Sequence, residues 1–257
     1  MQADAQNLAR TLCDAPANQV TPTLFAQAAV DALCPCGINV EVRNLDWIES
    51  QNMTSFLAVG KSSCEPPVFL EISYCGNENN ESPILLVGQG ITFNSGGLCL
   101  KKPDGMEEYR GAMSGAASVV ATIRAAAALS LPINVVGVIP LCENMPSGMV
   151  FKPGDVITCL NGKSIAVHDT NNAGRLIMAD TFCYAQTTYK PKLVVDVATL
   201  TRKEYFCDFY YLIQFYFIFI RWSNSDSWRS HDLRAGNIFI HAQVHLVHTV
   251  LSVIHVF

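Results

Sequence analysis

Charged side chains are scarce in this chain of 257 residues, and neither sign of charge dominates. Asp, Glu, Lys and Arg make up 15% of the sequence and the formal net charge is −5, whereas an average soluble domain contains about 25% charged residues. A mildly acidic chain lacks the basic surface by which proteins bind nucleic acid or anionic membranes. The apolar fraction of 50% excludes intrinsic disorder, because such a chain can bury a substantial core.

Several motifs of common enzymes are missing. The ten cysteines form no C-x-x-C pair, which argues against a zinc ribbon or a thioredoxin-like site. Residues 60–62 (GKS) lack the earlier glycine of a P-loop, and residues 88–90 (GQG) lack the third glycine of a dinucleotide fingerprint. No G-x-S-x-G elbow occurs and His168 is the only histidine before residue 202, which argues against a Ser-His-Asp triad.

The N-terminus lacks the basic and apolar regions of a secretory signal peptide. We therefore expect reduced, mostly buried cysteines in a cytoplasmic protein. A mitochondrial protein without its transit peptide is the alternative.

Turn-forming residues are almost absent from the C-terminal part. Residues 202–257 contain no proline and one of the 16 glycines, but five of the six histidines. The apolar run 205–220 is shorter than the ~20 residues that span a bilayer, so a membrane helix is the weaker interpretation there. His241, His245 and His248 would share one face of a helix and could bind zinc, although chance spacing in a histidine-rich segment is the favoured explanation.

Periodicity and turn signals predict alternating helices and strands before residue 202. The predicted helices are 4–13, 22–34, 115–129 and 174–187, and the predicted strands are 38–42, 68–74, 84–87, 133–140 and 193–197. Residues 161–162 (NG) predict a hairpin, and residues 88–97 predict a glycine-rich loop in which packing is favoured over ligand contact. The alternation indicates an α/β fold with a largely parallel sheet, whose ligands bind where strands end, here near Asn94.

Four strings resemble the leucyl aminopeptidase (cytosol aminopeptidase) family. They are VGQGITFNSGGLCLK (87–101), NVVGVIPLCENMPSG (134–148), KPGDV (152–156) and DTNNAGRL (169–176). The resemblance implies a three-layer α/β/α sandwich with a mixed, largely parallel sheet that is truncated at its C-terminal part, without the family's N-terminal regulatory domain. It divides the chain into connecting helices (1–36), an incomplete catalytic domain (37–201) and an unrelated aromatic-rich tail (202–257).

The resemblance also implies an activity. The family's enzymes are homohexamers that remove N-terminal residues from peptides, leucine by preference, with two divalent ions (zinc, manganese or magnesium) and a bicarbonate. Two such ions hold a hydroxide and polarise the scissile carbonyl. Lys101 and Arg175 match the family's carbonyl-polarising lysine and bicarbonate-holding arginine, although either could be kept for structure alone.

The five positions that match the family's metal ligands all differ from the family: Gln89, Asn94, Ala112, Asn171 and Ala173. Amides and methyl groups are poor ligands for ions that prefer carboxylate oxygen. Neutral residues also avoid the repulsion among carboxylates that would follow from loss of the ions. We therefore expect no bound metal, no metal-dependent peptidase activity and a structural or assembly role, similar to sperm-type leucyl aminopeptidases that have lost metal ligands.

Two alternatives remain open. One is a residual or altered metalloaminopeptidase, or a peptide-binding module, that uses Lys101 and Arg175. The other concerns residues 202–257 alone. In this alternative the segment is non-coding sequence that a gene-model error joined to the domain.

Overall fold

The computed structural model describes residues 1–77 and 81–199, and the backbone of residues 216–222. Its helices are α1 (Gln2–Asp14), α2 (Pro22–Leu33), α3 (Leu45–Ser50), α4 (Thr54–Gly60), α5 (Ser114–Ala128) and α6 (Ala173–Tyr189). Its strands are β1 (Asn39–Arg43), β2 (Val68–Cys75), β3 (Ile84–Gly88), β4 (Gly90–Asn94), β5 (Asn134–Asn144), β6 (Val156–Thr158), β7 (Ser164–Ala166), β8 (Leu193–Thr199) and β9 (Tyr216–Trp222).

The main sheet is mixed, with strand order β1-β2-β5-β3-β8-β9 and β4 added beside β5. β3 pairs in parallel with β5 and β8, and β4 pairs in parallel with β5. The pairs β1–β2, β2–β5 and β8–β9 are antiparallel. β5 is long enough to pair with β3 along its first half and with β4 along its second half. The chain therefore passes from β3 into β4, at the carboxyl end of the sheet.

Helices cover both faces of this sheet. On one face, α1, α2 and α5 pack with strand residues such as Leu70 and Leu86. On the other face, α3, α4 and α6 pack with the alternate residues, such as Phe69 and Leu85. Alternate strand residues point to opposite faces, so both helical layers have an apolar surface to cover. This confirms the predicted α/β/α sandwich.

The predicted loop 88–97 is wrong over most of its length, because Gly88 ends β3 and residues 90–94 form β4. The glycines serve close packing in a strand: a Cβ on Gly90 would lie 2.4 Å from the carbonyl oxygen of Pro140, and one on Gly88 would lie 2.9 Å from the Cα of Ala116. The favoured packing role of these glycines therefore agrees with the structure, whereas the assignment of the whole segment as a loop does not.

Two short helices were missing from the sequence prediction. α3 begins after Asn44, whose side chain accepts a hydrogen bond from the backbone N–H of Trp47 at 3.1 Å. α4 is capped from a distant part of the chain, because Oδ2 of the fully buried Asp180 accepts hydrogen bonds from the N–H groups of Ser55 (2.7 Å) and Phe56 (3.2 Å). Oδ1 of Asp180 accepts another from the N–H of Leu160 at 2.8 Å. Asp180 thus joins α6, α4 and the loop between β6 and β7.

The expectation of mostly buried cysteines is wrong for the described residues. Cys142 and Cys159 are buried, whereas four others are exposed: Cys34, Cys36, Cys64 and Cys75. All nine described cysteines are free thiols. The exposed cysteines lie in a short 3-10 helix (Cys34 and Cys36), in a bend (Cys64) and at the end of β2 (Cys75), positions that the spacing of cysteines in the sequence does not reveal.

One helical stretch in the described ranges, Met106–Ala128, has the length and hydropathy of a membrane span. Its apolar window is 83% buried inside the fold, as is typical of a core helix. The histidines at 241, 245 and 248 lie outside the described residues, as does most of the apolar run 205–220. The division of the chain at residues 36 and 201 stays a prediction.

Candidate functional site

The carboxyl ends of β3, β4 and β5 meet the beginning of α6, and this is where the positions selected from the sequence lie. Gln89 connects β3 to β4 and is 2% exposed. Its Nε2 donates hydrogen bonds to the carbonyl oxygen of Ala112 and to Oγ1 of Thr199, both at 3.1 Å. Ala112 and Gln89, two of the five predicted metal-ligand positions, are therefore joined directly.

The other end of the Gln89 carboxamide faces α6. Its Oε1 is buried without a hydrogen-bond partner among the described residues. A Cβ added to Gly174 would lie 2.5 Å from this oxygen, so the carboxamide fills the space beside the first turn of α6. Ala173, the residue before Gly174, is fully buried. It belongs with Ala112 to the apolar cluster on this face of the sheet.

Asn94 ends β4 and uses both ends of its carboxamide. Nδ2 donates to the carbonyl oxygen of Asn171 at 3.2 Å. Oδ1 accepts from the N–H of Gly96 at 3.0 Å and from Nδ2 of Asn144 at 2.8 Å. The geometry requires an amide here, because the two ends of the side chain perform opposite hydrogen-bonding roles.

Asn144 and Thr170 tie the surrounding loops together, and the sequence analysis did not single them out. Nδ2 of the fully buried Asn144 also donates to the carbonyl oxygen of Thr170 at 3.0 Å. Oγ1 of Thr170 donates to the carbonyl oxygen of Gly96 at 2.6 Å and accepts from the N–H of Cys99 at 2.8 Å. Both residues stand inside strings that carry the family resemblance, which is the signal that could have identified them.

Lys101 follows this loop and is held on two sides. Its Nζ donates to Oδ1 of Asn171 and lies 3.9 Å from the centre of the Tyr109 ring. An ammonium over an aromatic face gains a favourable cation–π interaction. Arg175 differs, because it is exposed on the first turn of α6. Within residues 1–77 and 81–199 it forms no hydrogen bond or ion pair with the other six positions.

A half-buried acid lies one strand away from Gln89. Asp196 on β8 pairs in register with Val87, two residues before Gln89. Oδ1 of Asp196 is buried and makes no hydrogen bond to any described residue. Removal from water penalises the charged form, so burial raises the pKa of Asp196 to about 7.

The residues present do not fit two divalent ions. The five positions offer two Asn, one Gln and two buried Ala. The Asn94 carboxamide, Nε2 of Gln89 and Oδ1 of Asn171 bond to backbone groups, Thr199, Asn144 or Lys101, whereas Oε1 of Gln89 has no partner among the described residues. Among the described residues, no group of three or more His, Cys, Asp or Glu side chains is placed to hold a metal ion. Hard divalent ions prefer several carboxylate oxygens, and this site supplies none at the five positions.

Comparison with known proteins gives one consistent result. The family described as the cytosol aminopeptidase family, catalytic domain, matches residues 7–207. The cytosol aminopeptidase of Xenopus tropicalis is 50% identical over 204 residues, 78% of this chain and 39% of that protein. The human cytosol aminopeptidase is 52% identical over 202 residues, 77% of this chain and 39% of that protein. The chain therefore spans about two fifths of the length of these relatives.

Solved structures agree with the sequence comparison. A leucine aminopeptidase of Caenorhabditis elegans matches with a TM-score of 0.74 and 30% identity, over 78% of this chain and 41% of that one. The bottromycin maturation enzyme BotP in complex with Mn matches with a TM-score of 0.73 and 38% identity, over 78% of this chain and 44% of that one.

Proposed function

The chain belongs to the cytosol aminopeptidase family, and we propose that within this family it lacks metal-dependent peptidase activity and has a structural or assembly role. The observation that carries the proposal is the mutual pairing of the site's polar groups. Nδ2 of Asn94 donates to the Asn171 carbonyl, and Nε2 of Gln89 donates to the Ala112 carbonyl. A site arranged for divalent cations would instead direct several anionic oxygens at a shared centre.

The packing around these amides supports the same proposal. Ala112 and Ala173 are 5% and 0% exposed within the apolar cluster under α6. A metal ligand at either position would bring a polar group into this cluster, where it needs a compensating partner. The Gln89 carboxamide occupies the remaining space beside Gly174. These five positions therefore serve the cohesion of the fold in our proposal.

We propose further copies of this chain as its partner, by analogy with the homohexamers that the family resemblance implies. The curated relatives are named cytosol aminopeptidases, which supports a cytoplasmic location. The analogy covers only the two fifths of the relatives that this chain matches, so the contacts between copies are part of the proposal.

Metal binding and hydrolysis test the absence of activity. The purified 257-residue chain is titrated calorimetrically with MnCl₂ and with ZnCl₂, and hydrolysis of leucine p-nitroanilide is followed with and without EDTA. We expect no saturable binding in the micromolar range and no hydrolysis that EDTA removes. Binding at two micromolar sites, with hydrolysis proportional to bound metal, would overturn the proposal. An active cytosol aminopeptidase is the positive control, and sedimentation velocity on the same sample tests the assembly.

Arg175 favours one second candidate, a peptide-binding module or altered enzyme that uses Lys101 and Arg175. The guanidinium is exposed at the start of α6, where backbone N–H groups also favour an anion such as a peptide carboxylate. Titration with the tripeptide Leu-Gly-Gly separates the candidates. Binding that is weakened by Arg175→Ala but retained by Arg10→Ala, a matched change on α1, would favour the peptide-binding module.

A further inference from the structure

A recess away from the candidate site lies between the end of α4 and the segment that leads into the β6–β7 hairpin. It has a volume of about 360 Å³, and its lining runs from Ala58 and Lys61 to residues 149–152 and 155–157. None of the seven positions of the candidate site lines it. We call this recess the α4–hairpin groove. Its volume is that of a small ligand-binding cleft, which in proteins starts at about 300 Å³.

The rim of the groove is apolar and exposed. Met149 is 72% exposed and Val156 is 65% exposed, whereas Val150 and Phe151 are 8% and 5% exposed in the core. The two residues that follow Met149 are anchored in the core, whereas residues 146–148 before it are exposed, so Met149 lies on the outside of the domain where the chain enters the core. The two exposed side chains on the rim offer a contact surface for an apolar group, and methionine adapts well to the shape of a partner.

The charge of the groove differs from that of the chain. Lys152 is paired with Asp155, because its Nζ lies 3.0 Å from Oδ2 and its backbone N–H donates to the same oxygen at 2.9 Å. Both interactions lower the pKa of Asp155. Lys61 is exposed and forms no ion pair with any residue in the described ranges. The lining therefore carries one excess positive charge in a chain whose net charge is −5.

This charge favours an acidic partner over a symmetric pair of copies that meet groove to groove. In a symmetric contact between two copies, each groove would face the same groove of the other copy. That arrangement would bring Lys61 against a lining of its own sign, which opposes association. A partner with a carboxylate at this point would complement Lys61 instead.

We propose that the α4–hairpin groove binds a peptide segment of a partner protein in which a large apolar side chain is flanked by Asp or Glu. The apolar side chain packs between Met149 and Val156, and a neighbouring carboxylate pairs with Lys61. This inference is independent of the proposed loss of metal binding, because the two sites share no residue.

Three fluorescein-labelled, blocked hexapeptides test the groove by fluorescence anisotropy on the full 257-residue chain at low salt. One peptide alternates Glu with Leu, the second alternates Lys with Leu, and the third alternates Glu with Ser. We expect saturable binding of the Glu-Leu peptide alone, weakened by added NaCl because salt screens exposed charges. Equal binding of the Lys-Leu peptide, or no saturable binding of the Glu-Leu peptide, would overturn the proposal.

Variants locate the binding. Lys61→Gln should weaken the Glu-Leu peptide by about threefold, the effect of one exposed ion pair, and Met149→Gln by about tenfold. Leu24→Gln and Lys102→Gln are matched controls at exposed positions outside the groove and should leave binding unchanged. Wild-type affinity in both groove variants would contradict the proposal. A concentration-dependent dimer that Met149→Gln abolishes would also contradict it, by making a second copy the occupant.

Discussion

Replacing Asn94 with Asp places a carboxylate at one of the five positions that the family resemblance predicts to be metal ligands, and the structure specifies what should then happen. The new oxygen takes the place of Nδ2, which now lies 3.2 Å from the carbonyl oxygen of Asn171. A donor–acceptor contact becomes a contact between two acceptors. The other oxygen keeps the hydrogen bonds from Gly96 and Asn144.

The magnitude follows from these contacts. Leaving the Asn171 carbonyl without its donor costs about 1–3 kcal/mol, and the two facing oxygens add repulsion. Stronger hydrogen bonds from Gly96 and Asn144 to a charged acceptor offset part of this cost. We expect a net loss of about 2 kcal/mol in the free energy of unfolding, equivalent to a fall of about 4–8 °C in Tm for a domain of this size.

The loss should depend on pH. Asn94 is 8% exposed, and burial beside a carbonyl oxygen raises the pKa of a carboxyl group, against the opposing effect of the hydrogen bonds from Gly96 and Asn144. A protonated carboxyl can donate to the Asn171 carbonyl again. The folded variant would therefore retain its proton at pH values where the unfolded chain has released it, so the deficit relative to wild type should grow from pH 5 to pH 8.

The assay is urea denaturation of the full chain in EDTA at pH 5 and pH 8. Asn44→Asp is the matched control, since Oδ1 of Asn44 is used only as an acceptor at the start of α3 and should tolerate the change within about 0.5 kcal/mol. Equal stability of Asn94→Asp and wild type in EDTA at pH 8 would refute the reasoning. It would mean that the amide at residue 94 is not required for the contact with Asn171.

Three further predictions use the same denaturation assay. Gly174→Ala should lower the free energy of unfolding by about 1–2 kcal/mol, because its Cβ would displace the Gln89 carboxamide. This loss should vanish in a Gln89→Ala background. An unchanged loss there would exclude the contact with Gln89 as the cause. Asp180→Asn should lower the free energy of unfolding by about 3 kcal/mol, because a charged acceptor of three backbone N–H groups is lost. A loss below about 1 kcal/mol would count against the capping of α4 by Asp180. The folded chain keeps the Asp196 proton up to about pH 7, whereas the unfolded chain releases it near pH 3.8. Stability should therefore fall by up to about 4 kcal/mol as pH rises between these values, and an Asp196→Asn variant with the same slope would contradict this.

Local signals in the sequence were sufficient for much of the fold. Thr21 followed by Pro22 predicted the start of α2, where the Thr21 side chain accepts from the N–H of Leu24. The Asn161-Gly162 turn predicted the hairpin that β6 and β7 form. Continuous apolar runs predicted β5 and β8. These features depend on neighbouring residues, so periodicity and capping report them directly.

α4 shows where such signals end. It contains seven residues, too few for a clear helical period, and its capping acid, Asp180, is more than 120 residues away in the chain. β4 was similarly hidden, because glycines that usually mark loops were needed there for close strand packing. In both cases the deciding contact is distant in sequence.

The sequence by itself determined which residues stand at the candidate site. The family resemblance selects Gln89, Asn94, Asn171 and Ala173 from the matching strings and Ala112 from outside them, and no folding changes the fact that none of the five is a carboxylate. The tertiary structure decided what these residues do instead. Bonds such as Gln89–Thr199 and Asn94–Asn171 join segments 110 and 77 residues apart. They exist because β3 and β4 follow one another along β5 and α6 begins near the carboxyl ends of these strands.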